Sequence, residues 1–210
     1  MGPDGYALQA RFYDRVVEPL NGPLRAAARR VCPPEPGWLV LDLGCGTGTA
    51  LAEYAAAGCR VIGADPSPGM IDQARARLGP DADLRIIDGP TVPVADGCAD
   101  LVLVSLVLHS VPHDEAVGIL REAARVLAPG GRVLVTDFGT EGLRFPRGWI
   151  ARGVSVVAEV AAGPQHASNS LAYVRRGGLA PLAREAGMDV HKARPTAGGG
   201  IVIAVLVPGG

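Results

Sequence analysis

Gly44, Gly46 and Gly48 alternate through the segment L-V-L-D-L-G-C-G-T-G-T-A at residues 39–50, with Asp42 just ahead of them and Cys45 between the first two. Glycines carry no Cβ, so such a turn can take positive φ and let a ligand lie against bare main chain outside a strand's carboxyl end. Gly44, Cys45 and Gly46 therefore read as a cofactor seat. Asp65 follows roughly 20 residues past the turn, the spacing at which an acid at the next strand end accepts both hydroxyls of a ribose. His109 closes the apolar run 101–108, in which Ser105 is the one polar interruption. An imidazole titrates near neutrality, so His109 is the expected general base or acceptor-orienting group, able to take a proton from a hydroxyl or amine.

These residues need a scaffold that brings strand ends together. Leu39, Val40, Leu41 and Leu43 are too few for a helix and too uniformly apolar for a half-wet strand, which suits the centre of a parallel sheet. A helix over 49–57, capped by Gly58, aims its amide end at the seat. A second strand over 60–64 ends on Asp65. Pro66 follows, Ser67 is the expected N-cap and Pro68 the first helical residue of a helix that carries Met70, Ile71, Ala74 and Leu78. Further strands are predicted at 84–87, 101–108 and 132–138, with a helix at 116–127 stopped by Pro129, Gly130 and Gly131. Two helices are expected within residues 6–31, interrupted by Pro19, Gly22 and Pro23. Past 138 the spacing predicts an inserted helix over 145–160, a polar loop over 165–173 and a short helix over 179–186. Final strands at 190–194 and 201–207 flank a turn at 198–200. The fold class is α/β: a Rossmann-like doubly wound sheet, mostly parallel, with a C-terminal antiparallel edge hairpin and helices on both faces.

The chain has 210 residues, 48% of them hydrophobic, with a formal net charge of −1. That length suits one domain with a substantial core. The charge balance lacks the basic excess of a nucleic-acid binder, so nucleic acid is not an expected partner. Cys32, Cys45, Cys59 and Cys98 are scattered without a C-x-x-C pair, which supports neither a zinc site nor a disulfide framework. No metal is expected. The N-terminal M-G-P-D-G-Y has no basic stretch leading into an apolar one, and the apolar runs are too short to span a bilayer. A cytoplasmic protein with no membrane span is expected; the oligomeric state is open, and a homodimer is allowed.

The seat is not a dinucleotide fingerprint, because the sixth position from Gly44 is Thr49 where a third glycine belongs. D-L-G-C-G-T-G resembles motif I of class I S-adenosylmethionine-dependent methyltransferases. The run G-A-D-P-S-P-G-M-I at 63–71 resembles that family's segment after its second strand, and R-V-L-A-P-G-G-R-V-L-V-T-D at 125–137 its late landmark. The resemblance covers 39–138, about half of the chain. It implies that S-adenosyl-L-methionine is the cofactor, with the glycine turn under its methionine and ribose parts and with Asp42, Asp65, Pro66 and Met70 around it. It also implies that Asp88 and Gly89 meet the adenine, although Pro90 and Thr91 depart from the family's more usual acidic and polar residues. Ser105 and His109 would border the methyl group. The segment R-F-Y-D at 11–14 looks like the family's Y-D pair, which implies that Tyr13 reaches the cofactor or substrate.

The implied reaction is metal-independent in-line transfer of a methyl group to an oxygen, nitrogen or carbon of a small-molecule acceptor. In one domain, residues 1–36 would form an N-terminal helical lid, 37–138 the cofactor-binding core, 139–187 the substrate-facing insertion and helix, and 188–210 the last strands. His166, Asn169, Tyr173 and Arg175 are the residues of that insertion able to face an acceptor. Two other readings stay open: a non-catalytic S-adenosylmethionine-binding subunit, and an NAD(P)-dependent oxidoreductase with a variant glycine turn.

Overall fold

The computed structural model describes residues 18–140 and 164–210, with side chains from residue 21 onward. Tyr13, the R-F-Y-D segment and the helix expected over 145–160 lie outside the described residues. The strands form a seven-stranded sheet in the order β3-β2-β1-β4-β5-β7-β6. Their bounds are β1 Leu39–Leu43, β2 Arg60–Asp65, β3 Asp83–Ile86, β4 Ala99–Ser105, β5 Leu127–Phe138, β6 Met188–Thr196 and β7 Ile201–Pro208. The doubly wound sheet with its antiparallel C-terminal hairpin is the architecture that the sequence predicts. The chain divides into two compact units, one of Met1–Leu103 with Arg125–Arg132 and one of Val104–Ala124 with Val133–Gly210.

In the first unit β1 pairs in parallel with β2 and with β4, and β2 with β3. The strand order reverses between β1 and β4, the point at which doubly wound sheets open a crevice beyond their carboxyl ends. Helices α1 (Glu18–Val31), α2 (Thr49–Ala56) and α3 (Pro68–Leu78) belong to this unit. Leu51 of α2 and Ile71 of α3 are fully buried with Cys45, and Val61, Leu78 and Leu84 pack against them. Apolar residues meet there because strand and helix each bury one face, which removes that surface from water. Ser67 caps α3 through its Oγ, which accepts from the Met70 amide at 3.4 Å, and Pro68 opens the helix as expected. Glu53 of α2 takes Arg25 at 3.0 Å and also pairs with Arg29, tying α1 to α2.

The second unit holds the hairpin. β7 pairs antiparallel with both β5 and β6. The unit also holds helices α4 (His113–Val126) up to Ala124, α5 (Pro164–Arg175) and α6 (Leu179–Glu185), and a 3-10 turn over Ala197–Gly199. Leu120, Leu134, Ile203 and Leu206 are among its fully buried side chains.

Four departures from the predicted elements have a local cause. α1 runs through Gly22 and Pro23 without a break, so the helix carries a proline inside it at the cost of that residue's own i→i−4 bond. β4 stops at Ser105 rather than at 108, because Leu106 takes a left-handed φ of 57° and turns its amide to the Thr136 carbonyl at 2.7 Å. β5 begins at Leu127 and includes Pro129, Gly130 and Gly131, which were expected to form a turn ahead of it. Residues 165–173 are helical, not a loop. Pro164 starts that helix with its φ already set for it. Its polar residues, which look like loop in sequence, bond the chain beyond β4: Asn169 donates to the Ser110 carbonyl at 2.8 Å and Ser170 to the His109 carbonyl at 3.3 Å.

Candidate functional site

The first unit gathers most of the predicted cofactor residues at the carboxyl ends of β1, β2 and β3. The register puts Leu43 beside Ala64 and Asp65 beside Ile86, so the three strand ends are level. The Ala64 carbonyl accepts from the amides of both Gly44 and Cys45, at 2.8 and 3.1 Å. That pins the first turn of the glycine loop to β2. The next amide, of Gly46, donates to Asp65 Oδ2 at 2.9 Å, and Asp65 Oδ1 accepts from the Ser67 amide at 2.9 Å. Carboxylate oxygens each have room for another donor, so Asp65 can hold this loop and still accept two hydroxyls. Asp65 is buried, which raises its pKa; the amides of Ser67 and Gly46 oppose that rise.

The alternating glycines serve different ends. Gly46 has φ 53°, and a Cβ there would meet nothing within 4 Å, so the main chain faces open space. At Gly48 a Cβ would lie 2.9 Å from the Ala74 Cβ, so this glycine lets α2 and α3 approach. Arg77 supports the same turn by donating to the Thr47 carbonyl. Nothing in the spacing of the sequence singles out that arginine.

Asp42 lies one residue before the end of β1, beside Gly63 and Leu103. It is 2% exposed and its Oδ1 has no hydrogen-bond partner. Burial, then the charge of Asp65, push its pKa up to about 7. Buried acceptors are rarely left unsatisfied, so this oxygen fits a ligand that brings an N–H donor or a cation. Cys45 turns its side chain into the core cluster, and burial followed by the charges of Asp42 and Asp65 raises its thiol pKa. Its thiol is therefore protonated, and any part it plays in the seat is through its main chain. Pro66 is exposed and Met70 half-buried in the turn that follows Asp65. Asp88 and Gly89 are exposed past the end of β3, and the Ile87 amide bonds the Asp65 carbonyl at 3.3 Å.

The second unit places Ser105, half-buried, at the end of β4 and His109 in the turn beyond it. His109 is 4% exposed and its Nδ1 lies 2.6 Å from Oδ1 of Asp137, which is wholly buried. Its ring stacks on Phe138 with centroids 3.8 Å apart. A carboxylate only accepts, so in this contact Nδ1 carries a proton and the ring's orientation is fixed by Asp137. Sequence reasoning missed Asp137. Its signal was an acid inside the apolar strand V-L-V-T-D-F, where a charge needs a partner. His113 begins α4, and its Nε2 lies 2.9 Å from Oε2 of Glu185. Among the described residues no group of three or more His, Cys, Asp or Glu could hold a metal ion.

Residues 40–131 match the profile of a family described as a methyltransferase domain. A demethylmenaquinone methyltransferase of Corynebacterium kroppenstedtii is 42% identical over 116 residues, which are 55% of this chain and 48% of the relative. The chain thus spans about half the length of the curated relatives it matches. Among solved structures, a chain of the complex containing the Haloferax volcanii Trm112 methyltransferase activator superposes with a TM-score of 0.71 at 22% identity, over 99% of this chain and 98% of that one. A TehB-like SAM-dependent methyltransferase from Corynebacterium glutamicum gives 0.62 at 20% identity, over 96% and 98%. The sheet order and the glycine turn are those of the class I S-adenosylmethionine-dependent methyltransferase fold, and residues 40–131 match a methyltransferase domain. The matched part runs from β1 into β5, and the cofactor of the class is S-adenosyl-L-methionine.

Proposed function

We propose that this chain binds S-adenosyl-L-methionine at the ends of β1, β2 and β3 and transfers its methyl group to a small-molecule acceptor. One observation carries the reading. The Gly46 amide and the Asp65 carboxylate are joined at 2.9 Å beneath open space, next to a buried Asp42 oxygen that lacks a donor. When bound, the cofactor supplies a methyl group on a sulfonium, an electrophile that needs no metal. Asp65 accepts the ribose hydroxyls, Asp42 faces the cationic amino group, and the main chain of Gly46 lies against the ligand. Asp88 and Gly89 border the adenine. With the electrophile already activated, the protein has to align a nucleophile, exclude water and take up a proton.

His109 takes that proton at Nε2 from the acceptor hydroxyl or amine, with Asp137 holding Nδ1. Asp137 stabilises the imidazolium that forms, as buried acids do in other His–Asp pairs. The relative from C. kroppenstedtii acts, by its name, on demethylmenaquinone, which makes quinols the acceptors to try first. A reducing, cytoplasmic setting fits the four cysteines, none of which is in a disulfide. No described helix is long and apolar enough to cross a membrane.

The experiment is calorimetric titration with S-adenosylhomocysteine, followed by incubation of the protein with methyl-labelled cofactor and a panel of quinols and hydroxylated aromatics. Saturable binding and a labelled product are expected. A folded protein that does not bind S-adenosylhomocysteine sinks the reading, and tight binding without product from any acceptor leaves a cofactor-binding subunit.

A further inference from the structure

Between β3 and β4, residues 87–98 form no regular secondary structure. Backbone carbonyls in such a loop ordinarily turn to water. Here three consecutive ones are taken by arginines. Arg125, near the end of α4, donates through Nη2 to the Val92 carbonyl and through Nη1 to the Val94 carbonyl, both at 3.1 Å. Arg85 of β3 donates to the Pro93 carbonyl between them. Arg125 also pairs with Asp96, and its own carbonyl accepts the Gly97 amide at 3.0 Å. Arg85 is itself held by a two-point contact with Asp83, 2.9 Å at each end. Planar guanidinium groups suit this work because their donors are fixed in a fork.

The consequence lies at Asp88 and Gly89. Ile86 is the last residue of β3 in register with β2, and Val92, whose side chain is buried, is the first clamped carbonyl. Only residues 87–91 are left to bridge two fixed points, with Gly89 at φ 88° among them. Without the clamp the span up to Ala99, where β4 begins, would be held only by the buried Val92 side chain and the main-chain bond of Gly97. A longer free loop samples more conformations, and a ligand that orders it loses affinity by that cost.

We propose that Arg125, seconded by Arg85, is a positioning residue for the adenine end of the cofactor seat: by holding residues 92–97 it fixes the one geometry in which the Asp88–Gly89 segment meets the base. The inference rests on the adenosyl reading of the seat given above.

The test measures the affinity of the full chain for S-adenosylhomocysteine and for S-inosylhomocysteine, in which an oxygen replaces the adenine amino group. The proteins are the wild type, Arg125→Ala, Arg125→Lys and Arg85→Ala, with Val133→Ala in β5 as a control for general loss of stability. The wild type is expected to favour the adenine ligand. Arg125→Ala should weaken S-adenosylhomocysteine binding about tenfold and narrow the preference between the two ligands. Arg125→Lys should recover part of both, and Val133→Ala neither effect. Should Arg125→Ala not fold, Arg85→Ala carries the test with a loss of about threefold. Equal affinity of the wild type for both ligands, Arg125→Ala or Arg85→Ala within twofold of the wild type, or an equal loss in Val133→Ala overturns the inference. Absence of S-adenosylhomocysteine binding by the wild type overturns the adenosyl reading instead, and this inference with it.

Discussion

Oδ1 of Asp137 lies 2.6 Å from Nδ1 of His109 and accepts the Phe138 amide at the same distance, while its Oδ2 accepts the Leu108 amide at 2.9 Å. One buried carboxylate thus orients the ring and also holds the chain on which the ring is carried. An asparagine in its place keeps the shape but presents an NH2 where an oxygen accepted. Asp137→Asn is expected to lower the rate of methyl transfer by about 100-fold or more while S-adenosylhomocysteine binding stays within a few-fold. It should also lower stability by about 1–3 kcal/mol, because amides are left without acceptors. His109→Ala should cost a similar factor in rate, and the double variant little more than either, since the two act as a unit. Rates with the quinol panel, titrations and thermal melts check these outcomes.

Asp42 ties stability to pH. Its carboxyl is raised from 3.8 to about 7 in the folded protein. The folded state therefore binds a proton that the unfolded state gives up between those values. Stability of the ligand-free protein is greatest below about pH 4 as far as this group is concerned, and falls as pH rises to about 7, by on the order of 4 kcal/mol in all. Asp42→Asn should flatten that slope. Cofactor binding should show the opposite trend, since a cationic amino group favours the ionised acid: affinity for S-adenosylhomocysteine is expected to rise between pH 6 and pH 8 in the wild type, and not in Asp42→Asn. Urea melts and titrations at stepped pH are the measurements.

Gly46 and Gly48 look alike in sequence, and substitution should separate them. Gly46→Ala places a methyl group in open space at φ 53°. The backbone strain is about 1 kcal/mol, but the methyl group occupies the face set against the cofactor, so binding should fall at least tenfold. Gly48→Ala meets Ala74 at 2.9 Å and Leu78 at 3.2 Å. There the helices must part, and a loss of about 2–3 kcal/mol is expected. Thermal melts beside calorimetric titrations distinguish a site that loses its ligand from a protein that loses its packing.

The level strand ends were legible in the sequence because each is written locally: an apolar run, an acid, then a turn-forming residue. Asp65 could be found by counting from the glycines, and Ser67 and Pro68 announce their helix by type. The partners of these residues were not legible, because a long-range hydrogen bond leaves no periodic trace. Asp137 reaches His109 across 28 positions, and Arg125 reaches Val94 across 31. The helix over Pro164–Arg175 was misread for a related reason. Its asparagine and serine resemble loop residues until their carbonyl partners at 109 and 110 are seen. β4 ended early because Leu106, an apolar residue in an apolar run, adopts a left-handed conformation that composition does not signal.

Tyr173 makes the last case. It lies on α5 beside a cavity of about 30 Å³ bounded also by Leu108, Val111, Asn169 and Leu182. Its hydroxyl is buried without a hydrogen-bond partner, and burial, then the charge of Asp137, raises its pKa. Removing a buried hydroxyl that has no partner removes a desolvation cost and leaves the ring's packing in place. Tyr173→Phe is therefore expected to stabilise the protein by about 1 kcal/mol, a rise of about 2–4 °C in Tm for a chain of this length. The ligand-free protein gives the clean comparison. A fall in Tm would mean that the hydroxyl is bonded in solution, through a water held in the cavity, which at this volume has room for one.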